Sequence, residues 1–338
     1  MTRRRTALSA TAIAATCLLA ACAADGASAG GSTADEATGT TVRVADVSSA
    51  NHLTLGRSSG IVDEALDEAL DEAGFEARWL GPYTVPTVAY DALLTGQADV
   101  TTTDASQLLT WAAEERDVVA FALETTPGDD QGVVVGAGVP VTGVEDLRGL
   151  TVAVGPTPGG AGDYVLAKAL AAVGLTSDDV QRVYLSEADA TAEFVAGTVD
   201  AWATTDQHFA TAQSIPGAVV VARGDHVGSH DATVHVVSRT FAHEHPDVVR
   251  ALYDGLVTQA VEARQRPSAV TDLYARAGAP GDAVAIIGTF DVPQIEPLDD
   301  AGVERLRSFA DDLVELGFLA VEPHMAHVAV DATATSRT

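Results

Sequence analysis

Residues 151–185, TVAVGPTPGGAGDYVLAKALAAVGLTSDDVQRVYL, decide the fold. The stretch opens on a short β-branched run, 151–155, and breaks at a glycine-rich turn. It resumes with helical spacing over 161–173, stops at Gly174 where a helix C-cap is expected, and closes on a second apolar run, 180–185. Strand, turn, helix and strand in that order make a parallel βαβ unit, in which a crossover helix covers one face of a parallel sheet.

The same alternation continues on both sides. Before this unit come a strand at 131–136 and a helical turn at 144–148. After it come a helix at 188–196, a strand at 200–204, a helix near 208–213 and a strand at 218–222. An earlier copy of the plan begins at Thr41, with strands at 41–47, 75–80, 98–102 and 118–123 and helices at 61–72, 88–95 and 104–115. A strand at 232–238 leads back toward the first unit, and helices at 246–266, 268–277 and 299–316 follow. The pattern predicts an α/β protein of two lobes. Lobe 1 is built from 41–125 plus 239–330, lobe 2 from 126–238, and 331–338 form a tail. Two crossings of this kind make a hinged clamp around a cleft.

Open α/β sheets take ligands at the carboxyl ends of their strands, so the residues just after strands are the candidates. TGQADVTTTD, 95–104, and AGTVDAWATTD, 196–206, align across the halves, with one extra residue before the final Asp in the second copy. They nominate Thr102, Thr103 and Asp104, and Thr204, Thr205 and Asp206. Each Asp has two open readings: an N-cap of the helix that follows, or a pocket carboxylate facing a ligand amine or hydroxyl. In the glycine-rich turn, Thr157, Gly159 and Gly160 have the form that offers backbone N–H groups to an anion at a helix start. Ser48, Ser49, Asn51 and His52 occupy the corresponding place after the first strand. Trp79, Tyr83, Tyr164 and Trp202 are candidate pocket walls, with Trp202, in mid-strand, better suited to the core.

Residues 145–155 (EDLRGLTVAVG), the glycine-rich turn before Asp163 and Tyr164, and 194–203 (FVAGTVDAWA) resemble the second domain of ABC-transporter substrate-binding proteins of the aliphatic sulfonate, taurine and nitrate type. Residues 311–319 (DDLVELGFL) resemble that family's late helix. The resemblance implies a type II periplasmic-binding-protein fold, each lobe a mixed sheet flanked by helices. It also implies a clamp around one small solute, docking onto an ABC permease, no cofactor, and a monomer. The implied ligand is a small organic anion, an aliphatic sulfonate or a taurine-like solute. The alternatives are another nitrogen-containing solute, such as nitrate or a pyrimidine or thiamine precursor, or a ligand-sensing lipoprotein not coupled to transport. Where sulfonate binders often read Trp-Asp-Pro, this chain has Thr205-Asp206-Gln207.

The N-terminus carries Arg3, Arg4 and Arg5 before an apolar run, the form of a secretory signal over 1–21. LAAC, 19–22, resembles the lipobox of bacterial lipoproteins, which assigns Cys22 as the lipidation site. Residues 22–40 then read as a lipidated Cys and a flexible Gly/Ser/Ala/Thr tether. The expected location is the outer face of the cytoplasmic membrane. Loss of the signal leaves 16 basic against 48 acidic residues, a net charge of −32. Such a surface repels phosphate backbones, which excludes a nucleic-acid partner. No G-x-S-x-G elbow or P-loop is present, so an enzyme is not expected. His226, His230 and His235 with Asp225 and Asp231, and His243, His245, His324 and His327, fall in no helix-borne ligand pattern, so no metal is expected either.

Overall fold

The computed structural model describes residues 41–47, 51–53, 63–83, 85–229, 232–276 and 278–334. The signal, Cys22, the tether and the site candidates Ser48 and Ser49 lie outside the described residues.

The first run of elements is β1 (Thr41–Val47), α1 (Asp63–Glu72), β2 (Glu76–Tyr83), α2 (Pro86–Leu94), β3 (Val100–Asp104), α3 (Ala105–Ala113) and β4 (Val119–Thr125). The second is β5 (Gln131–Val135), β6 (Thr151–Val154), α4 (Ala161–Ala172), β7 (Gln181–Tyr184), α5 (Glu187–Ala196), β8 (Ala201–Thr205), α6 (Asp206–Ser214) and β9 (Val219–Arg223). The chain then continues through α7 (Gly224–Val227), β10 (Thr233–Val237), α8 (Arg239–Glu244), α9 (Pro246–Gln265), α10 (Pro267–Arg276), α11 (Gly281–Ile287), β11 (Gln294–Pro297) and α12 (Asp300–Glu315).

Two mixed sheets result. The first has the order β11-β4-β10-β3-β1-β2, and the second β7-β6-β8-β5-β9. β1 runs parallel to β2 and β3, and β6 parallel to β7 and β8. The strand that arrives from the other sheet runs against its neighbours in each case: β10 against β3 and β4, β5 against β8 and β9. Thr233–Val237 therefore lies in the first sheet, so the chain returns there before Thr233 and not at Arg239.

Burial on both faces explains the composition of the central strands. In β5, QGVVV is buried at every position, so it shows no polar alternation. Against one face of the first sheet, Leu66 and Leu70 of α1 and Leu252 and Leu256 of α9 pack on Val42 and Val44. Leu108 and Leu109 of α3 pack with Leu306, Phe309 and Leu313 of α12 in the other cluster. Val165, Leu166 and Leu170 of α4 cover Val133, Val152 and Val154 in the second sheet. Each such side chain contributes about 1.5–3 kcal/mol over leaving it exposed.

The two crossovers run side by side. Gly128 adopts φ +91°, and a Cβ there would stand 2.9 Å from the Asp225 nitrogen and 3.0 Å from the Ser229 carbonyl oxygen. Asp225 N–H donates to the Gly128 carbonyl at 3.0 Å, and the Ser229 hydroxyl donates to Gln131 Oε1 at 2.5 Å. The strands that change sheets are thus tied to each other where the lobes meet.

The proposed aromatic walls serve packing. Tyr164 and Trp202 are fully buried, and Trp79 and Tyr83 are partly buried against first-lobe clusters. Tyr164 reaches the first lobe: its ring meets Phe309 edge-on at 4.7 Å and its hydroxyl donates to Asp312 at 2.6 Å. Lys168 joins the same carboxylate at 2.8 Å.

Candidate functional site

Polar residues collect where the strands end. In the first lobe the centre is Glu124, buried near the end of β4. Its Oε2 accepts the His52 backbone N–H at 3.0 Å and lies 3.0 Å from His235 Nε2. His235 Nδ1 is 3.1 Å from the Thr102 hydroxyl, and His52 Nε2 donates to the Pro293 carbonyl at 2.9 Å. The β3–β10–β4 register makes this chain, because it sets His235 opposite both Thr102 and Ala122. Burial pushes the Glu124 carboxyl up, but the charges of the two histidines and their hydrogen bonds outweigh it. Glu124 is held below its usual range.

The second lobe and the crossover supply the facing groups. Asp206 follows β8, and its backbone N–H donates to the Asp130 carbonyl at 2.7 Å. Asp206 is a non-glycine residue at φ +51°, in the left-handed region. It is exposed, but onto the cavity, while protein crowds it from the other sides. That burial, then the charges of Asp130, Glu124 and Glu187, push its carboxyl well above the usual range, and its hydrogen bond to Asp130 retains the proton. Burial pushes Asp130 to about 6, against the hydrogen bond from the Thr126 hydroxyl at 2.8 Å. Glu187, at the start of α5, is pushed to about 7 by burial, opposed by a 3.3 Å bond from Thr204.

Glu124, Asp130 and Asp206 line one cavity, and its other walls come from the C-terminal helices and the loop after them. Tyr274 of α10, Ile287 of α11 and Phe290 face it. These elements pack on α6 through Ala210, with Phe290 stacked on Phe209 at 6.1 Å. A segment that lies in sequence between two strands of the first sheet, β10 and β11, thereby reaches the second lobe.

The nominated residues divide. Asp206 lines the cavity, while His52 and Thr102 are buried behind it around Glu124 and Thr204 is buried against Glu187. Asn51 and Thr103 are buried, and Thr205 is the N-cap residue of α6 with no side-chain cap bond. Asp104 caps α3, accepting the Gln107 N–H at 2.7 Å. In the glycine-rich turn two N–H groups are taken within the chain. Gly159 N–H donates to the buried Asp163 carboxylate at 3.0 Å, and Gly160 N–H donates to the Thr157 carbonyl at 3.1 Å. A Cβ on Gly159 would stand 2.9 Å from the Phe318 Cβ, so the turn lies against the first lobe.

Glu124, Asp130, Glu187, Tyr274 and Phe290 were not foreseen. One signal was present for Asp206. The extra residue in the second copy moves this Asp from the cap position, which Asp104 keeps, into the first turn of α6.

Residues 71–269, more than half of the chain, match the family model described as "NMT1/THI5 like". A relative from Escherichia coli (strain K12), named "Putative aliphatic sulfonates-binding protein", is 26% identical over 196 residues, 58% of this chain and 60% of that protein. The crystal structure of the periplasmic aliphatic sulphonate binding protein SsuA from Escherichia coli superposes with a TM-score of 0.74 at 20% identity, over 88% of this chain and 94% of that one. The desulfurization enzyme DSZB does so with a TM-score of 0.61, also at 20% identity, over 86% and 96%. The two mixed sheets flanked by helices are the fold of these proteins.

Proposed function

The chain belongs to the NMT1/THI5-like family, and from that premise we propose that it is an exported solute-binding lipoprotein of an ABC importer. The reading places it on the outer face of the cytoplasmic membrane through lipidated Cys22, as a monomer that presents one captured solute to a permease. One observation carries the binding role: the two sheets, joined by paired crossovers, bring strand-end carboxylates and an aromatic wall to a single cavity. Binding proteins among the relatives support it.

In this account Asp206, Asp130 and Glu124 contact the solute. His52, Thr102 and His235 set the Glu124 carboxylate, and Thr204 sets Glu187. Closure of the lobes about Gly128 and its neighbours would exclude water and strengthen each polar contact. The same fold also serves a desulfurization enzyme. A thiol nucleophile has no place in the body of this chain, because its two cysteines, Cys17 and Cys22, both precede Thr41.

The test is a thermal-shift screen of the full chain against sulfonates, amino-sulfonates, nitrate, pyrimidines, amino acids and amines. A solute at 100 times its dissociation constant adds about 2.7 kcal/mol. At about 2 °C per kcal/mol for a chain of this size, the midpoint should rise by about 5 °C. A flat response to every class would overturn the binding role.

A further inference from the structure

The cavity wall also specifies a ligand chemistry, and the inference rests on the solute-binding reading above. Among the described residues, Glu124, Asp130, Asp206 and Asp291 line the cavity, and no Lys or Arg does. The His52 and His235 contacts compensate Glu124. The Asp130 carboxyl has the Thr126 hydroxyl, the Gln131 side chain and Asp206 as partners, and among the described residues neither Asp forms an ion pair. A sulfonate placed here would add negative charge beside these carboxyls.

A second observation is independent of the carboxylates. Tyr274 lines the same cavity and is only 7% exposed, yet its hydroxyl makes no hydrogen bond among the described residues. The side chain is more than nine-tenths buried while its oxygen stays accessible, so the phenol is placed to accept from a ligand that enters the cavity. The Tyr274 and Phe290 rings beside Ile287 and Val270 provide an apolar surface on which a cation is also favoured.

We propose that this cavity takes a small organic cation, a protonated amine carried on an apolar body, whose N–H groups donate to Asp206, Asp130 and the Tyr274 oxygen. The arriving cation replaces the proton held between Asp206 and Asp130, which leaves to solvent, and the aromatic wall receives the body.

Isothermal titration of the full chain in detergent tests this with matched probes: butylamine against butanesulfonate, and benzylamine against phenylmethanesulfonate. Each amine should bind at least tenfold tighter than its sulfonate. Asp206→Asn and Asp130→Asn should each weaken amine binding at least tenfold, and Tyr274→Phe several-fold, with thermal midpoints no lower than wild type. Asn tolerates the left-handed backbone at position 206, so that variant should fold. Sulfonates binding as tightly as the amines, or amine affinity unchanged in both Asn variants, would overturn the cation assignment and leave the solute-binding role standing. Failure of both amines to bind would also overturn it. Absence of binding by every class in the wider solute screen would overturn the binding role itself.

Discussion

Replacing Asp163 with Ala removes the carboxylate that fixes the glycine-rich turn to the second sheet. This side chain is fully buried and accepts from three directions: Gly159 N–H at 3.0 Å, the Tyr184 hydroxyl at 3.0 Å, and the Arg182 guanidinium at 3.0 and 3.1 Å. Truncation leaves a buried N–H and an unpaired guanidinium. Breaking a buried ion pair from one side costs about 3–5 kcal/mol. Arg182 remains 23% exposed and can recruit water, which places the expected loss near the lower end, about 3 kcal/mol. Asp163→Asn keeps an acceptor for Gly159 but surrenders the charge, for about 1–2 kcal/mol. At about 2 °C per kcal/mol, thermal unfolding followed by circular dichroism should fall by about 6 °C for Ala and about 3 °C for Asn. Asp163→Ala combined with Arg182→Met should be less damaging than the sum of the single changes, because no uncompensated charge is left. An Ala variant within 1 °C of wild type would refute the reasoning. So would strict additivity in the double variant.

Asp104→Ala should cost about 1 kcal/mol through loss of the α3 cap, with ligand affinity unchanged; a loss of affinity at wild-type stability would reverse that assignment. For carboxyls with raised folded pKa values, such as Asp130, Glu187 and Asp206, the native state holds the extra proton, so stability is present at low pH and lost as pH rises through those values. The contribution of Asp130 and Glu187 to the unliganded midpoint should therefore decline as pH rises from about 4 to about 7, and Asp206→Asn should lessen the overall decline. His208, pushed down to about 4 by burial, has the opposite sign: its contribution is complete above about pH 6.5 and is lost as pH falls toward 4. His208→Phe should remove that acid-side loss, and an unchanged acid limb would exclude His208 as its source. Gly128→Val should destabilise by about 1–3 kcal/mol, since it meets backbone on both sides at a positive φ; a neutral result in chemical denaturation would mean that the crossovers are not packed as described. Cys22→Ser should release the protein from membranes or leave it unprocessed, which mass spectrometry of the mature N-terminus decides.

The architecture was legible because it rests on short-range patterns. Strand 151–154, the helix from Ala161 and strand 181–184 are visible from period and glycine placement alone. β11 was not, since QIEP at a sheet edge needs neither alternation nor a free N–H at Pro297, and its pairing with β4 comes from distant sequence. The site was legible only where it follows strands. Asp206 could be nominated, whereas Glu124 lies at the end of an apolar run and acquires its partners from 72 and 111 residues away. Tyr274 sits on a C-terminal helix whose placement over the cleft is a tertiary fact. The glycine-rich turn shows the converse limit, because its Gly159 and Gly160 N–H groups are taken by Asp163 and Thr157, close in sequence but set by the fold.

The central claim is that two lobes close on a solute held at Asp130, Asp206 and Tyr274. Solution X-ray scattering of the full chain in detergent, with and without a saturating ligand from the thermal screen, tests it most directly. The account predicts a smaller radius of gyration for the wild-type protein on ligand addition, and a smaller change for Asp206→Asn at a ligand concentration that just saturates the wild type. An identical scattering profile with ligand demonstrably bound to the wild-type protein would contradict it.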